Sequence, residues 1–370
     1  GIEFLDSRNV LITEKNGQLI HYDFKNVNYI SGLPRIDNYG QGGILDIKKH
    51  PNYSKNNIIY FTATSDRGGK VGTALFKAMF VRDYLENVEM LFHAKIEPPS
   101  NGTHVGSRIV INKSGFIFVS IGDGGSPSTA QDLSNHNGTI VRLTLNGEIP
   151  KDNPFISNSM AKPEIWSYGH RNVQGMAIHP VTGDIWSHEH GPKGGDEINI
   201  IKKGANYGWP LATFGINYDG TIISNDTTII GAVDPVYYWT PSIAPCGMNF
   251  YFSDAIPNWN GSLFLGALAG RHLNKIRLTN DNKVISEERI FQDMARFRQV
   301  IQGEEGWLYF VTENPGLLCR VTYKKLDVET KALPKNISLN NNYPNPFNSK
   351  TIINFTIPTK KDVKIIIYNL

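Results

Sequence analysis

The sequence predicts an all-β protein, a six-bladed β-propeller that is followed by a truncated C-terminal β-sandwich segment. Three observations predict this class: 35 glycines and 20 prolines in 370 residues, weak helical periodicity, and a two-strand unit that occurs six times. A β-sandwich does not repeat one hairpin six times, whereas a propeller is built from repeated sheets around a central channel. We therefore expect residues 1–325 to form six blades.

In each repeated unit the second strand is easier to recognise, because an apolar or aromatic run ends in small or polar residues and a turn. These second strands lie within residues 9–17, 57–66, 115–125, 183–191, 261–270 and 306–316. Their shorter first strands lie within residues 1–5, 42–47, 106–111, 175–178, 247–252 and 297–301.

The hairpin geometry predicts where the functional face lies. In a hairpin, the start of the first strand and the end of the second strand lie at the same edge of the sheet. Residues at these positions should therefore share one face of the disc, and that face should hold a base, several cations and amide donors. The residues concerned are Gln41, Thr103, His104, Asp123, Arg171, Asn172, Gln174, His190, Gly191, Arg296 and Arg298.

The chain after about Lys325 no longer follows the repeat. A linker at residues 326–336 leads to a separate segment at 337–370, where the alternating runs INFTI and VKIIIY predict two strands of a small sandwich that is cut off at Leu370. The string NYPNPFNSKTIINFTIP at 342–358 resembles the start of the C-terminal sorting domain of the bacterial type IX secretion system. This resemblance implies that secretion machinery exports the chain to the medium or the cell surface, with the periplasm as a transit compartment. A carbohydrate-binding or adhesive module is the alternative.

Composition and charge exclude several classes of function. With 37 basic and 34 acidic residues and no basic stripe, nucleic acid is not expected as a partner. No apolar stretch is long enough for a membrane span, and the first residue is not Met, so we expect that upstream residues, a signal peptide among them, have been removed. Cys246 and Cys319 are the only cysteines of the sequence, which are too few for a Cys-based zinc site. Two buried free thiols are favoured over one disulfide bridge.

The segment GPKGGDE at 191–197 is a glycine-rich loop followed by two carboxylates, with the phenol of Tyr207 further along. Hard oxygen donors and free backbone carbonyls suit Ca²⁺, although a solvated acidic turn fits the same residues. His170, His188 and His190 do not predict zinc, because the only carboxylate nearby in sequence, Glu189, points away from the face shared by His188 and His190.

Three strings in the segment 166–210 carry a family resemblance. GHRNVQG, EHGPKGGDEIN and GANYGWP, in this order, resemble the soluble quinoprotein glucose dehydrogenases and, more closely, the bacterial aldose sugar dehydrogenases. QGGILD at 41–46, the segment 130–155 and ATFGINYDG at 212–220 extend the similarity over residues 1–321. The resemblance implies a six-bladed propeller that binds pyrroloquinoline quinone (PQQ) and Ca²⁺, oxidises aldoses to lactones and passes electrons to an external acceptor.

The resemblance also implies a role for each matching position. His104 would be the catalytic base that takes the proton of the anomeric hydroxyl. The main-chain carbonyls of Gly191 and Pro192 would bind the calcium that contacts the quinone, and Glu197 and Tyr207 would bind a second, structural calcium. The positions that would contact the quinone are Gln41, Arg171, Asn172, Tyr218, Ala267, Leu268, Ala269, Arg296 and Arg298.

Three departures from the family pattern bear on these roles. Thr103 stands before His104 where glucose dehydrogenases have Asp, so Asp123 is the candidate to orient the base. Ala269 stands where the family commonly has Lys; either Arg271 replaces that cation or the quinone is bound less tightly. The loops on the substrate side are shorter than in glucose-specific members, which implies broad acceptance of aldoses.

Two functions from other classes compete with a dehydrogenase. A calcium-dependent propeller that hydrolyses lactones would also use a histidine and a central ion, but it would have no tricarboxylate for Arg171, Arg296 and Arg298 to bind. A cofactor-free propeller for sugar binding or adhesion is the other, and its support is the missing cation at Ala269.

Overall fold

The computed structural model describes residues 1–98 and 102–323, together with 338–339, 352 and 354–356. The chain divides into two compact units, Gly1–Thr322 and Tyr323–Leu370. Among the described residues no helix is both long and apolar enough to cross a membrane.

The first unit contains six antiparallel sheets, and the strands of each sheet follow one another in chain order. Blades 1 and 2 consist of β1 (Ile2–Asp6), β2 (Asn9–Glu14), β3 (Gln18–Tyr22), β4 (Val27–Tyr29), β5 (Ile44–Lys49), β6 (Ile58–Asp66), β7 (Val71–Val81) and β8 (Tyr84–His93). Blades 3 and 4 consist of β9 (Ile109–Ile111), β10 (Phe116–Ile121), β11 (Thr139–Thr144), β12 (Ile165–Tyr168), β13 (Val173–Ile178), β14 (Ile185–Glu189), β15 (Asp196–Ile201) and β16 (Tyr237–Trp239). Blades 5 and 6 consist of β17 (Pro245–Tyr251), β18 (Ser262–Ala267), β19 (Leu273–Leu278), β20 (Val284–Ile290), β21 (Arg296–Gln302), β22 (Leu308–Glu313) and β23 (Leu318–Val321). The only helices of the described chain are a short α1 (Tyr53–Asn56) and a 3₁₀ turn at Pro127–Gln131.

The first strands of the blades form a closed ring. Each contacts the first strand of the next blade, in the order β1, β5, β9, β13, β17, β21 and back to β1. The prediction of an all-β, six-bladed propeller is therefore confirmed, and each of the six predicted hairpins is the first strand pair of one blade.

The core is divided among the six interfaces between blades, because alternate residues of a strand face opposite sides of its sheet. In β10, Ile117 and Val119 pack against blade 2, whereas Phe118 packs against blade 4. The ring is closed by Ile2, Phe4 and Val10 of blade 1, which pack on Tyr309 of blade 6. Cys246 and Cys319 are free thiols; Cys246 is buried, but Cys319 is only partly buried, so the expectation of two buried thiols was wrong for Cys319.

A β-bulge recurs near the start of the first strand in four blades. The extra residue is Leu45 in blade 2, Gln174 in blade 4, Gly247 in blade 5 and Arg298 in blade 6. A bulge leaves one residue unpaired and turns its side chain away from the regular alternation. Three of these residues, Leu45, Gln174 and Arg298, line the central cavity of the propeller.

The second unit is described only in part. Its described strands, β24 (Ser338–Leu339) and β25 (Phe355–Thr356), form one antiparallel pair, and β25 lies within the predicted INFTI strand. The predicted linker at 326–336 and the predicted strand VKIIIY lie outside the described residues.

Candidate active site

All six blades contribute to one cavity of about 840 Å³ at the face predicted from the hairpins. Six of the residues predicted to contact a cofactor line it: Gln41, Asn172, Leu268, Ala269, Arg296 and Arg298. Gln174 and His190, which lie at the hairpin ends predicted to share this face, line the cavity as well.

His104 and Asp123 form a direct pair beside this cavity. The Nδ1 atom of His104 lies 2.6 Å from Asp123 Oδ1, and Asp123 is fully buried whereas the His104 side chain is 18% exposed. Asp123 also accepts hydrogen bonds from the backbone N–H of Gly125 and from Nε1 of Trp209, both within 2.9 Å. Since a carboxylate accepts hydrogen bonds, the imidazole proton lies on Nδ1, and the lone pair of His104 is on Nε2. Among the described residues Nε2 has no hydrogen-bond partner.

The loop of His104 is held in an unusual conformation. His104 has φ of +48°, in the left-handed region that His adopts more often than most residues. Its backbone N–H donates to Oε1 of Gln41 at 2.9 Å. Its carbonyl oxygen approaches Gly122 so closely that a Cβ there would lie 1.8 Å away. The glycine before Asp123 therefore permits the packing that brings the two side chains together.

Arg171 and Asn172 lie at the start of blade 4, and both are buried. Nη1 of Arg171 donates to the carbonyls of His190 and Gly191 at 3.0 and 3.1 Å, and its guanidinium lies over the ring of Trp209. Oδ1 of Asn172 accepts the backbone N–H of Gly106 at 3.2 Å. Trp209 thus contacts both Asp123 and Arg171; it belongs to the GANYGWP string but was not predicted as a site residue.

The Gly191 loop is anchored by Asp196, to which the sequence analysis gave no role. Asp196 is fully buried and accepts the backbone N–H groups of Gly191, Ile243 and Ala244 as well as the hydroxyl of Ser242. Burial raises the pKa of Asp196, and these hydrogen bonds act in the opposite direction. Asp196 therefore fixes the segment that carries the Gly191 carbonyl.

The two arginines of blade 6 share one carboxylate. Nε of Arg296 lies 3.0 Å from Oε1 of Glu313, and Nε of Arg298 contacts the other oxygen, Oε2. Partial burial raises the pKa of Glu313, but the hydrogen bonds and charges of Arg298 and Arg296 outweigh this effect. The pKa of Glu313 is therefore lowered. Glu313 lines the cavity and was not predicted, although it is the last residue of the second strand of blade 6.

Arg108 lies at the centre of the ring and was also not predicted. It is buried, and its guanidinium donates to Gln174 O at 2.7 Å, to Gln299 Oε1 at 3.3 Å and to Sγ of Cys246 at 3.3 Å. Its Nη1 lies 3.7 Å from Oδ1 of Asp46. One cation therefore links the inner ends of blades 2 to 6. The available signal was an arginine within the apolar string GSRIVI.

Several predicted or candidate residues do not line the cavity: His104, Arg171, Gly191, Pro192, Glu197, Tyr207, Tyr218, Ala267 and Arg271. Tyr218 is 73% exposed, and Ala267 is fully buried within the sheet of blade 5. Arg271 is exposed and donates from Nη2 to the carbonyl of Asp293 at 3.2 Å, so it does not replace the cation missing at Ala269. The reason is local: Arg271 has φ of +53°, and this turn directs it toward Asp293.

The predicted structural calcium site is a buried polar cluster on blade 4. Asn199 donates from Nδ2 to Glu189 Oε1 and Glu197 Oε2, while its own Oδ1 is buried without a hydrogen-bond partner. Burial first, and then the charge of Glu189, raise the pKa of Glu197 well above its usual value. A cation here would neutralise both carboxylates and give Asn199 Oδ1 a partner, so the donor set fits calcium. The phenol of Tyr207 is occupied by the carbonyl of Ile200 and the N–H of Lys202, which leaves its main-chain carbonyl as the candidate ligand.

The cavity residues also fit the expected quinone. A planar molecule with three carboxylates needs fixed cations and amide donors, and the cavity offers Arg296, Arg298 and Asn172. Gly191 O accepts a hydrogen bond from Arg171, so a calcium ion at this carbonyl would require that bond to lengthen. No group of three or more His, Cys, Asp or Glu side chains within the described ranges is arranged to hold a metal, so ligation at Gly191 and Pro192 would rest on main-chain oxygens.

Comparisons with known proteins agree on one family. The family model for glucose/sorbosone dehydrogenases matches residues 1–320. The aldose sugar dehydrogenase YliI of Escherichia coli is 42% identical over 325 residues, which cover 86% of this chain and 87% of the relative. The crystal structure of the soluble aldose sugar dehydrogenase from Escherichia coli in the apo-form has a TM-score of 0.83 and 40% identity, with 87% and 95% of the two chains covered. The PQQ-bound form of the aldose sugar dehydrogenase from Streptomyces coelicolor has a TM-score of 0.70 and 25% identity, with 85% and 87% covered.

Proposed function

This chain belongs to the glucose/sorbosone dehydrogenase family of PQQ-dependent oxidoreductases, and on that premise we propose that it oxidises aldose sugars at C1 to lactones. In this proposal His104 is the general base, PQQ is the hydride acceptor and Ca²⁺ holds and activates the quinone. An acceptor outside the protein then removes the electrons. The single observation that carries the proposal is the pair of His104 and Asp123, next in sequence to Val105 of a cavity that Arg296 and Arg298 also line.

The proposed chemistry at His104 follows from its tautomer. With Nδ1–H held by Asp123, Nε2 can take the proton of the anomeric hydroxyl. As the imidazole becomes a cation, the adjacent buried carboxylate stabilises the new charge. When bound, PQQ would supply an electrophilic carbonyl carbon able to accept the hydride from C1 of the sugar, and Ca²⁺ would increase that electrophilicity.

In this proposal, residues of four blades hold the quinone. Arg296 and Arg298 bind its carboxylates, Asn172 and Gln41 provide amide groups, and Leu268 and Ala269 form an apolar contact. Gly191 and Pro192 offer main-chain oxygens to the calcium ion beside it. Tyr218 is 73% exposed and does not line the cavity, so its contact with the quinone stays a prediction.

The arginines also separate this proposal from the two alternatives. A lactonase or a cofactor-free sugar-binding propeller has no need for two guanidinium groups in the cavity, since neither binds a polyanion. Arg296 and Arg298 both line it, which favours the dehydrogenase.

The test is reconstitution of the apoprotein. Purified protein is incubated with PQQ and Ca²⁺, and aldose-dependent reduction of a dye is followed, with omission of PQQ and chelation of Ca²⁺ as controls. We expect dye reduction only in the complete mixture, and a rise in melting temperature on adding PQQ with Ca²⁺. If both dye reduction and the thermal shift are absent, the proposal is rejected in favour of a binding module. Lactone hydrolysis without PQQ would favour the hydrolase.

We also propose export to the medium or the cell surface, which the string at 342–358 supports. Removal of residues 326–370 should retain the protein inside the cell in a host with the type IX machinery, as measured by cell fractionation. Equal secretion of the shortened chain would contradict this proposal.

A further inference from the structure

Glu313 bridges two cationic side chains at the edge of the cavity. It is the last residue of β22 and the direct cross-strand partner of Arg296 in β21. Its two carboxylate oxygens go to different guanidinium groups: Oε1 to Nε of Arg296 and Oε2 to Nε of Arg298. All three residues line the cavity.

A bulge in β21 lies at this shared contact. Arg298 is the extra residue of the bulge, so it has no direct partner in β22 and its position relative to Arg296 departs from the regular strand. Glu313 uses only the Nε edge of each guanidinium. The Nη groups remain as donors, and one of them, Nη1 of Arg296, contacts the carbonyl of Leu268 at 3.4 Å.

We propose that Glu313 is a positioning residue for the cofactor: it holds Arg296 and Arg298 side by side so that their Nη groups are ready for carboxylates in the cavity. This inference rests on the proposed function. Guanidinium groups that are already fixed lose little conformational freedom when an anion binds, and their fork geometry is then available for bidentate contacts.

The charge of Glu313 makes the sign of the effect decisive. If Glu313 acted only through its charge, it would repel an anionic cofactor, and its removal would tighten binding. If it acts by positioning, its removal weakens binding, although the cavity becomes more positive. The two views therefore predict opposite changes.

The experiment measures the dissociation constant of PQQ in the presence of Ca²⁺, by tryptophan fluorescence titration of the apoprotein. We expect Glu313→Gln to weaken binding roughly 10- to 100-fold, the range found when groups that orient direct ligands are removed. Glu313→Asp keeps the charge but shortens the reach to both guanidinium groups, so it should also weaken binding. The melting temperature of each apoprotein variant shows whether folding is preserved.

The matched control is Glu14→Gln. Glu14 lines the same cavity, but its carboxylate accepts a hydrogen bond from Asn16 and from no arginine of the described residues. This variant reports the effect of removing one negative charge, and we expect unchanged or slightly tighter binding. In the Arg298→Gln background, the loss caused by Glu313→Gln should become smaller, because one of its two partners is gone.

The outcomes separate the inference from the function on which it rests. Tighter or unchanged binding by a folded Glu313→Gln variant would overturn the positioning role while leaving the dehydrogenase proposal intact. An undiminished loss in the Arg298→Gln background would also overturn it. If the unaltered protein binds no PQQ, both the proposed function and this inference fail.

Discussion

His104 and His190 lie on neighbouring blades at the same face of the propeller, yet only one of them has the surroundings of a base. His104 precedes blade 3, and its Nδ1 is held by a carboxylate while Nε2 has no partner among the described residues. His190 follows the second strand of blade 4, and its Nε2 bonds to the carbonyl of Pro245 at 2.7 Å. Burial, together with the charge of Arg171, lowers the pKa of His190 to about 3.

The difference shows that residue type and location do not by themselves assign a catalytic base. Both imidazoles reach the active face, but the nitrogen of His190 that bonds to a carbonyl must carry the proton, and a neighbouring arginine opposes a second one. His104 instead has its Nδ1 held by the buried carboxylate of Asp123, which leaves the lone pair on Nε2. We therefore expect substitution of His104 to lower turnover far more than substitution of His190.

The largest effect is expected for His104→Ala. Removal of a general base should lower kcat by roughly 10²- to 10⁴-fold while PQQ is still bound. The measurement is steady-state dye reduction, with a PQQ titration as control. Activity within a few-fold of the unaltered enzyme would remove His104 from the mechanism and end the distinction drawn here.

Asp123→Asn should give the next largest loss. An amide can donate to Nδ1 and so favour the other tautomer of His104, which would lower kcat by on the order of 10²-fold or more. The expected loss lies in kcat and not in the affinity for PQQ. If kcat is retained, the orientation of His104 does not depend on this carboxylate.

Gly122→Ala tests the same pair through the backbone. A Cβ at this position would lie 1.8 Å from the carbonyl oxygen of His104, so the loop has to move. We expect a loss of kcat of about tenfold or more with a modest fall in melting temperature, since small displacements of a base are costly. Gly261→Ala is the control, because a Cβ there meets no atom within 4 Å, although its φ of +79° gives a small strain of its own. Equal activity of both variants would contradict the constraint.

His190→Gln should have the smallest effect on turnover and a measurable one on acid stability. Glutamine can still donate to Pro245, so kcat should change by less than about threefold. His188 and His190 both have a pKa lowered from 6.5 to about 3 by burial, so the unfolded chain binds more protons than the folded one between these values. The melting temperature should therefore fall as the pH decreases from about 6.5 toward 3, and less steeply in His190→Gln. If the melting temperature falls equally steeply with pH in both proteins, His190 does not contribute to the loss of stability in acid.

The architecture was predictable because the inner hairpins alternate strongly and end in recognisable turns. The positions of the hairpin ends predicted that residues such as Gln41, Asn172 and Arg298 share one face, and all three line one cavity. The outer strands were less predictable; β20, for example, is mostly exposed and lacks an apolar face. The linker and most of the C-terminal segment lie outside the described residues, so those assignments stay predictions.

The details of the site were less predictable, since they depend on which partner each side chain finds. Glu313 and Lys15 also lie at the ends of second strands, so the same hairpin geometry predicts them for this face, and both line the cavity. Arg271 was wrong as a substitute cation because its backbone turns it toward Asp293, which no pattern of residue types reveals. Local hydrogen bonds also decide that the phenol of Tyr207 donates to the carbonyl of Ile200, and that the carboxylate of Asp196 accepts the backbone N–H of Ile243.

The recurring bulge assigns packing between blades and lining of the central cavity to different residues of the same strand. In β5, β13 and β21 the pairs Ile44 and Ile47, Val173 and Met176, and Phe297 and Val300 each pack into the same interface between blades, although residues three apart would normally face opposite sides. The inserted residue between them belongs to neither interface. Its identity can therefore vary from leucine to glutamine to arginine while the wedge-shaped packing of the disc stays the same, which leaves the inner rim free to acquire new ligand preferences on an unchanged frame.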